Sequence, residues 1–436
     1  MHAALPPDDP QRRALHDEIH ARPTARIRLP ALLVYVAVLN DGVSRDDEAA
    51  HLRRLPGQAN LPAGALAGNF LRLAVDGAAL KWERHSEFTR YTLVQPLAPD
   101  AFPPAPEPPL MPALRVDAGW LAAIPGRTVC AIKLALVEQS LDDPHAALAA
   151  ARAWFGDGAV VASLTGRGHS LAVTDFRLRE SGFERVLLMA PAGTSETRAG
   201  RVSARLLELE TYRLMALRGL PVAKALAPRL AAAEADLGAI TARMEAGEAG
   251  DDADQALLDT LVALAARIER ITADSQYRFA ATQAYAAIVE QRIDELREAP
   301  IPGTQTLGEF MRRRLSPAIA TVAATERRLQ SLAQRTERAG ALLRTRVDIA
   351  TEAQNRELLA KLTRGQELQL KLQSTVEGLS IAAISYYVVS LILYVAKAAK
   401  AAGLPVHPEL AAGASIPLVL LGVAWLTRRI HARLAH

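Results

Sequence analysis

The sequence predicts an α+β domain, then a long helical stalk, then a C-terminal two-helix transmembrane hairpin. Three observations carry this. Strand-like runs with few helices between them fill the first 194 residues, apolar residues recur at helical spacing from Ser195 onward, and charge almost disappears near the end. From Gly378 to Thr427 only Lys397, Lys400 and Glu409 carry formal charge among 50 residues. At 436 residues, half of them hydrophobic and 22% charged, the chain is too long for one ordinary core and too apolar to be disordered. Its 51 basic and 47 acidic residues leave a net charge of +4, so no polybasic footprint marks nucleic acid as a partner. The single cysteine, Cys130, excludes an internal disulfide framework and a multi-thiolate metal site. The opening MHAALPPDDPQRR has neither a basic start nor an apolar run, and no signal peptide is expected.

Taken in order, Asp8 or Asp9 with Pro10 starts a short helix, QRRALHDEIHAR, that stops at Pro23. ALLVYVAVL (31–39) reads as a buried strand. NFLRLAV (69–75) and KWERHSEFTRYTLV (81–94) read as two strands joined near Asp76 and Gly77. Eight of the 26 prolines fall within 95–112, which makes that stretch an extended loop. TVCAIKLALV (128–137), a helix from Pro144 to Phe155, and the strands VVASL, HSLAVTDFRL and FERVLLMA complete a mixed sheet domain over 1–194.

Residues 195–300 read as an antiparallel helical pair, one helix to about Ala246 and one from Asp252 to Arg297, turning at the acidic EAGEAGDDAD. Within 304–378, TLGEFMRRRL forms a short helix and Pro317 sits where a new one begins. From there to Lys397 no proline occurs, enough for one helix on the order of 120 Å. Leu358, Leu362, Leu372 and Val376 belong to a narrow apolar stripe that wants partners from other chains. Leu379–Ala396 and Leu410–Thr427 are uncharged runs of 18 residues, each about 27 Å as a helix and able to span a bilayer. The connector 397–409 carries Gly403, Pro405 and Pro408, and the basic tail 428–436 places both termini in the cytoplasm.

This order of elements resembles that of the CorA metal-ion transporter superfamily, and RTRVDIATEAQNRELLAKLTRGQELQLKLQSTVEGLSIAAISYY (344–387) is similar to its junction between stalk and first span. The chain more closely resembles a bacterial family of uncharacterised membrane-anchored proteins. The matching segments are HDEIHARP (16–23), LNDG (39–42), WERHSEF (82–88), TDFR (174–177), LLELETYR (206–213), TLGEF (within 304–310) and TVEGLSIAAISYY (375–387). The CorA resemblance implies a homopentamer in the inner membrane whose first span lines an ion path. That superfamily carries a Gly-Met-Asn signature after the first span, where this chain reads LYVAKAAKAAG, so divalent-cation transport of the usual kind is not implied.

Projected at 100° per residue, Ser380, Ala383, Tyr386, Tyr387, Ser390, Tyr394 and Lys397 share one third of the first span's circumference. Hydroxyls are costly in hydrocarbon, so this face points into a bundle or lines a pore. HDEIH places His16 and His20 one helical turn apart, a spacing able to hold a divalent cation, with Asp17 where a zinc hydrolase carries its glutamate. No third ligand is identifiable, and backbone or solvent bonding of both rings is the alternative. Alternation in WERHSEF puts Glu83, His85 and Glu87 on one strand face, either a cation site or a charged sheet face. No Walker loop, dinucleotide fingerprint or G-x-S-x-G elbow occurs, and no enzyme is expected. The sequence therefore predicts a homo-oligomeric membrane channel or transporter of a small ion or solute. A non-conducting anchor displaying a binding domain is the alternative, and a membrane-tethered metallohydrolase the third.

Overall fold

The computed structural model describes residues 8–13, 15–16, 25–97, 114–156, 158–246, 251–405 and 407–434. The proline-rich loop lies almost wholly outside them. Two compact units emerge, one from residues up to 242 together with 261–338, the other from 243–260 with the remainder from Ala339.

In the first unit β1 (Ala31–Leu39) is the centre of an eight-stranded sheet. The other strands are β2 (Phe70–Val75), β3 (Ala78–Arg84), β4 (Phe88–Pro96), β5 (Arg127–Glu138), β6 (Val161–Thr165), β7 (Ser170–Thr174) and β8 (Glu184–Ala190), ordered β2-β3-β4-β1-β5-β8-β7-β6. Every pairing is antiparallel except β5 with β8. β1 is buried along its whole length because both faces are covered, which is why it reads as an unbroken apolar run. Leu33, Tyr35 and Ala37 join one core, and Leu32, Val34, Val36 and Val38 the opposite one.

The second face is closed by α1 (Arg45–Arg53), started by a Ser44 capping box, and by α2 (Ala118–Ala122), whose Trp120 is buried. Asp143 caps α3 (Pro144–Phe155), which packs Trp154 and Phe155 over β7 and β8. The first face is covered by α4 (Glu196–Leu217). The ends of two longer helices, α6 (Asp251–Leu296) and α7 (Leu307–Ala401), contribute Val289, Ile293, Leu307 and Met311 to the same core. The change of pattern at Ser195 is thus an element boundary, and the hydrophobic core runs across it.

Several boundaries differ from the sequence expectation. Residues 81–94 form two strands, because the chain turns at His85, Ser86 and Glu87 and the His85 N–H closes onto the Phe88 carbonyl at 2.8 Å. The helix expected to run to Ala246 breaks at Arg218 and resumes as α5 (Gly219–Ala246). A Cβ at Gly219 would lie 2.2 Å from Thr282 Oγ1, so the chain can pass α6 there only as glycine. TLGEFMRRRL is not a separate helix. It is the start of α7, which carries Pro317 in its interior at the cost of one backbone hydrogen bond. α7 extends to Ala401 and α8 (Pro408–Leu434) begins before Leu410, which shortens the connector at both ends.

In the second unit, Arg346 joins the close of α5 to the opening of α6, donating to the Met244 carbonyl at 3.1 Å and pairing with Asp254 at 2.9 Å. Beyond it α7 is bare: every residue from 351 to 376 is exposed. α7 and α8 each hold an 18-residue window, of mean hydropathy 2.0 and 1.9, of which only 11% and 6% is buried. Both helices are long and apolar enough to cross a membrane.

Candidate functional site

The polar face of the first apolar run stays together in three dimensions. On the first apolar run of α7, Ser385 and Ala396 are buried and Ile381, Val388, Val389, Ser390, Ile392, Leu393 and Ala399 half-buried; on α8, Pro408 and Ala412 are buried and Ala411, Ser415, Val419, Val423, Ala424 and Thr427 half-buried. Both sets are mostly small or β-branched, a composition that lets helices pack, and they mark the covered side of the hairpin, its seam. Ser385, 4% exposed, is the most buried hydroxyl of the seam, and it is absent from the face predicted from sequence.

Of the face predicted from sequence, only Ser390 is among the covered positions. Tyr386, Tyr387 and Tyr394 are 71%, 68% and 68% exposed, Ser380, Ala383 and Lys397 are exposed, and Ser390 is half-buried. Ser380 Oγ turns back to the Val376 carbonyl at 2.8 Å, which quiets one hydroxyl within its own helix. The Tyr386 and Tyr387 rings meet edge to face, with centroids 5.9 Å apart. None of the three tyrosines is buried against α8, so a single chain leaves this face open. At the other end of the hairpin the Arg429 guanidinium lies 4.9 Å from the Trp425 ring centroid, an amphipathic pair suited to an interface.

The metal candidates do not converge. His16 is exposed, while Asp17 and His20 lie outside the described residues. The turn at 85–87 ends the strand alternation that put Glu83, His85 and Glu87 on one face. Glu83 faces Arg90 across the β3–β4 ladder and is chelated by it at 2.6 and 2.9 Å, with Lys81 at 2.9 Å. Burial alone would raise the Glu83 carboxyl, but Arg90 and Lys81 override it and hold it at about 2. His85 stacks on Phe88 at 4.6 Å, and Glu87 is paired with Arg278 of α6. Among the described residues no group of three His, Cys, Asp or Glu side chains is placed to hold a metal ion.

What Glu83 and Arg90 begin is an ionic chain, buried at their end and half-buried beyond it. Arg90 continues to Glu208 of α4 at 3.1 Å, Glu208 accepts from Arg292 of α6 at 2.7 Å, and Arg292 reaches Glu295 at 3.0 Å. A second cluster lies under α4. Glu210 is chelated by Arg213, Asp175 is paired with Arg179, and Glu184 is pushed up to about 9 by burial and by the neighbouring Glu210. WERHSEF, TDFR and LLELETYR thus meet as polar cement between sheet and helices. Cys130, 2% exposed, has its thiol pushed up by burial, as an inert core cysteine should.

LNDG and WERHSEF also line one open cleft of about 710 Å³. Arg84, Arg127, Arg218 and Arg278 enter it, with Arg84 answered by Glu48 and Arg278 by Glu87. Sequence reasoning missed this cleft, because its arginines come from β3, β5, the α4–α5 break and α6.

The family model described as Protein of unknown function (DUF3422) matches residues 7–434. Neither the curated proteins nor the solved structures gave a match. The chain belongs to the DUF3422 family.

Proposed function

We propose that this DUF3422 chain forms a homo-oligomeric, CorA-like membrane protein that conducts a small ion or solute along the oligomer axis. One observation carries the reading. Leu358, Leu362, Leu372, Val376 and Leu379 on α7 are exposed and share one register of alternating four- and three-residue steps, filled by Gly365 and Gln369 between Leu362 and Leu372, that continues through Ala383, Tyr386 and Ser390 and past Leu393 to Lys397. A single seam therefore serves both the apolar stalk stripe and the polar face of the first span. Copies gathered along it cover the leucines and turn the hydroxyls inward, away from lipid. The exposure of both apolar windows, and Arg429 beside Trp425, support a bilayer around the hairpin.

The resemblance in element order supplies the subunit number, five, and the inner membrane as location. Arg428, Arg429 and Arg433 after the second span support a cytoplasmic side for both termini. With no Gly-Met-Asn signature, Lys397 stands at the outer end of the lining. A ring of Lys397 ammonium groups disfavours divalent cations and favours anions. Flux from proteoliposomes tests this: wild type passes a small anion, and Lys397→Glu shifts the preference toward cations. No flux under any gradient would leave the second reading, a non-conducting anchor displaying a binding domain, which the arginine-lined clefts of the sheet domain favour.

A further inference from the structure

We infer that a second cleft of the sheet domain, formed by the β6–β7 turn, the start of α4 and the end of α6, is a binding site for a phosphate-bearing ligand. It encloses about 460 Å³, and its wall carries Arg167, Arg198, Arg201, Arg205 and Arg297 against the single carboxylate Glu295. The formal charge of that wall is +4. Glu295 is already shared between Arg205 at 3.2 Å and Arg292 at 3.0 Å. Arg167, Arg198, Arg201 and Arg297 are exposed, and among the described residues none of the four has an ion-pair partner, so their charge is open to a ligand.

The arrangement is built rather than scattered. Arg198, Arg201 and Arg205 follow one another at three- and four-residue steps, so α4 presents them as one row in its first turns. The helix begins at Ser195, whose hydroxyl caps the Arg198 N–H, with Glu196 in the first turn, so the charge of the site comes from the arginine row rather than from the helix end. Arg167 and Arg297 both hold left-handed backbone, φ 63° and 48°, a conformation that glycine adopts more cheaply. They are tied together: the Arg167 N–H donates to the Arg297 carbonyl at 3.2 Å, and the Gly166 N–H to the Leu296 carbonyl at 2.8 Å. Glycines flank Arg167 on both sides, yet the strained position between them carries a guanidinium.

Guanidinium forks match phosphate oxygens two at a time, and a phosphate monoester carries about two negative charges. Two such groups, or one polyphosphate chain, neutralise the wall within the available volume. The same chemistry is offered by a free phosphorylated small molecule and by a phospholipid headgroup. This site requires no conduction through the hairpin and stands or falls separately from it.

The test uses the full chain in detergent micelles and two probes, inorganic tripolyphosphate and water-soluble dibutyryl phosphatidic acid, titrated calorimetrically at low and at physiological salt. Saturable binding of tripolyphosphate identifies a free ligand, and preference for phosphatidic acid identifies a headgroup. In either case Arg198→Gln with Arg201→Gln weakens binding by about tenfold or more. Arg267→Gln, an exposed arginine already paired with Asp236, leaves it unchanged. Arg297→Gly separates binding from folding: it relieves the left-handed backbone and raises the melting temperature while weakening the probe. The inference is overturned if neither probe binds at low salt, if the arginine pair is dispensable, or if Arg297→Gly melts higher and binds equally well.

Discussion

Glu83 illustrates how a side chain that looks like a ligand in sequence becomes structural once its neighbours are known. Its carboxylate is 1% exposed and fully engaged by Arg90 and Lys81, so removing it strands buried Lys81 and leaves Arg90 with Glu208 alone. Glu83→Ala should cost about 3–5 kcal/mol in unfolding free energy, measured by denaturant titration, with no change in bound metal. Glu184 has the opposite electrostatics. Its folded-state carboxyl, pushed up to about 9, keeps its proton over a range where the unfolded chain has lost it. Stability is therefore lost as pH rises from about 4.5 toward 9, because the folded state binds more protons there. Glu184→Gln should leave the melting temperature nearly unchanged at pH 5 and raise it relative to wild type at pH 8.5. Equal shifts at both values would contradict the assignment. Neither partner set was legible from the sequence: Glu83 is linked to Glu208 only through Arg90, which lies 118 residues from Glu208.

Elements were legible where period and length agreed. β1 occupies the residues its apolar run marks, and the strands from Val161, Ser170 and Glu184 follow their β-branched content. The β3–β4 hairpin was missed because His85, Ser86 and Glu87 contain no glycine or proline and keep the polar alternation going through the turn. Pro317 misled in the opposite direction: it reads as a helix start, yet α7 passes through it, since the loss of one hydrogen bond is small beside the packing of Met311, Leu315 and Val322. On the bare stretch of α7 the register contains two gaps, Gly365 and Gln369, between Leu362 and Leu372. Gly365→Leu with Gln369→Leu should fill the seam and gain helix propensity, each buried leucine contributing about 2 kcal/mol. The oligomer should then survive higher temperature in detergent by size-exclusion analysis, and an unchanged or lowered midpoint would place the seam elsewhere.

At the scale of the molecule, the succession of sheet domain, long helices and apolar hairpin could be read directly, because each part has its own hydrophobic period and charge density. The polar face of the first apolar run could be drawn on a helical wheel, and in the single chain all of its positions but Ser390 are exposed. The arginine clefts were not legible, since their residues are assembled by topology across separations of up to 239 residues between Leu39 and Arg278. The central claim is that copies of α7 meet along one register from Leu358 to Lys397. Cys130 is the single cysteine and is buried, so introduced cysteines report alone. The most direct measurement is oxidative cross-linking in native membranes of single cysteines placed at each position from 358 to 397. The account predicts covalent dimers that peak at Leu372, Val376, Leu379, Ala383, Tyr386 and Ser390 and vanish between them. Cross-links absent throughout, or strongest at Ile381, Ser385 and Ile392, would contradict it.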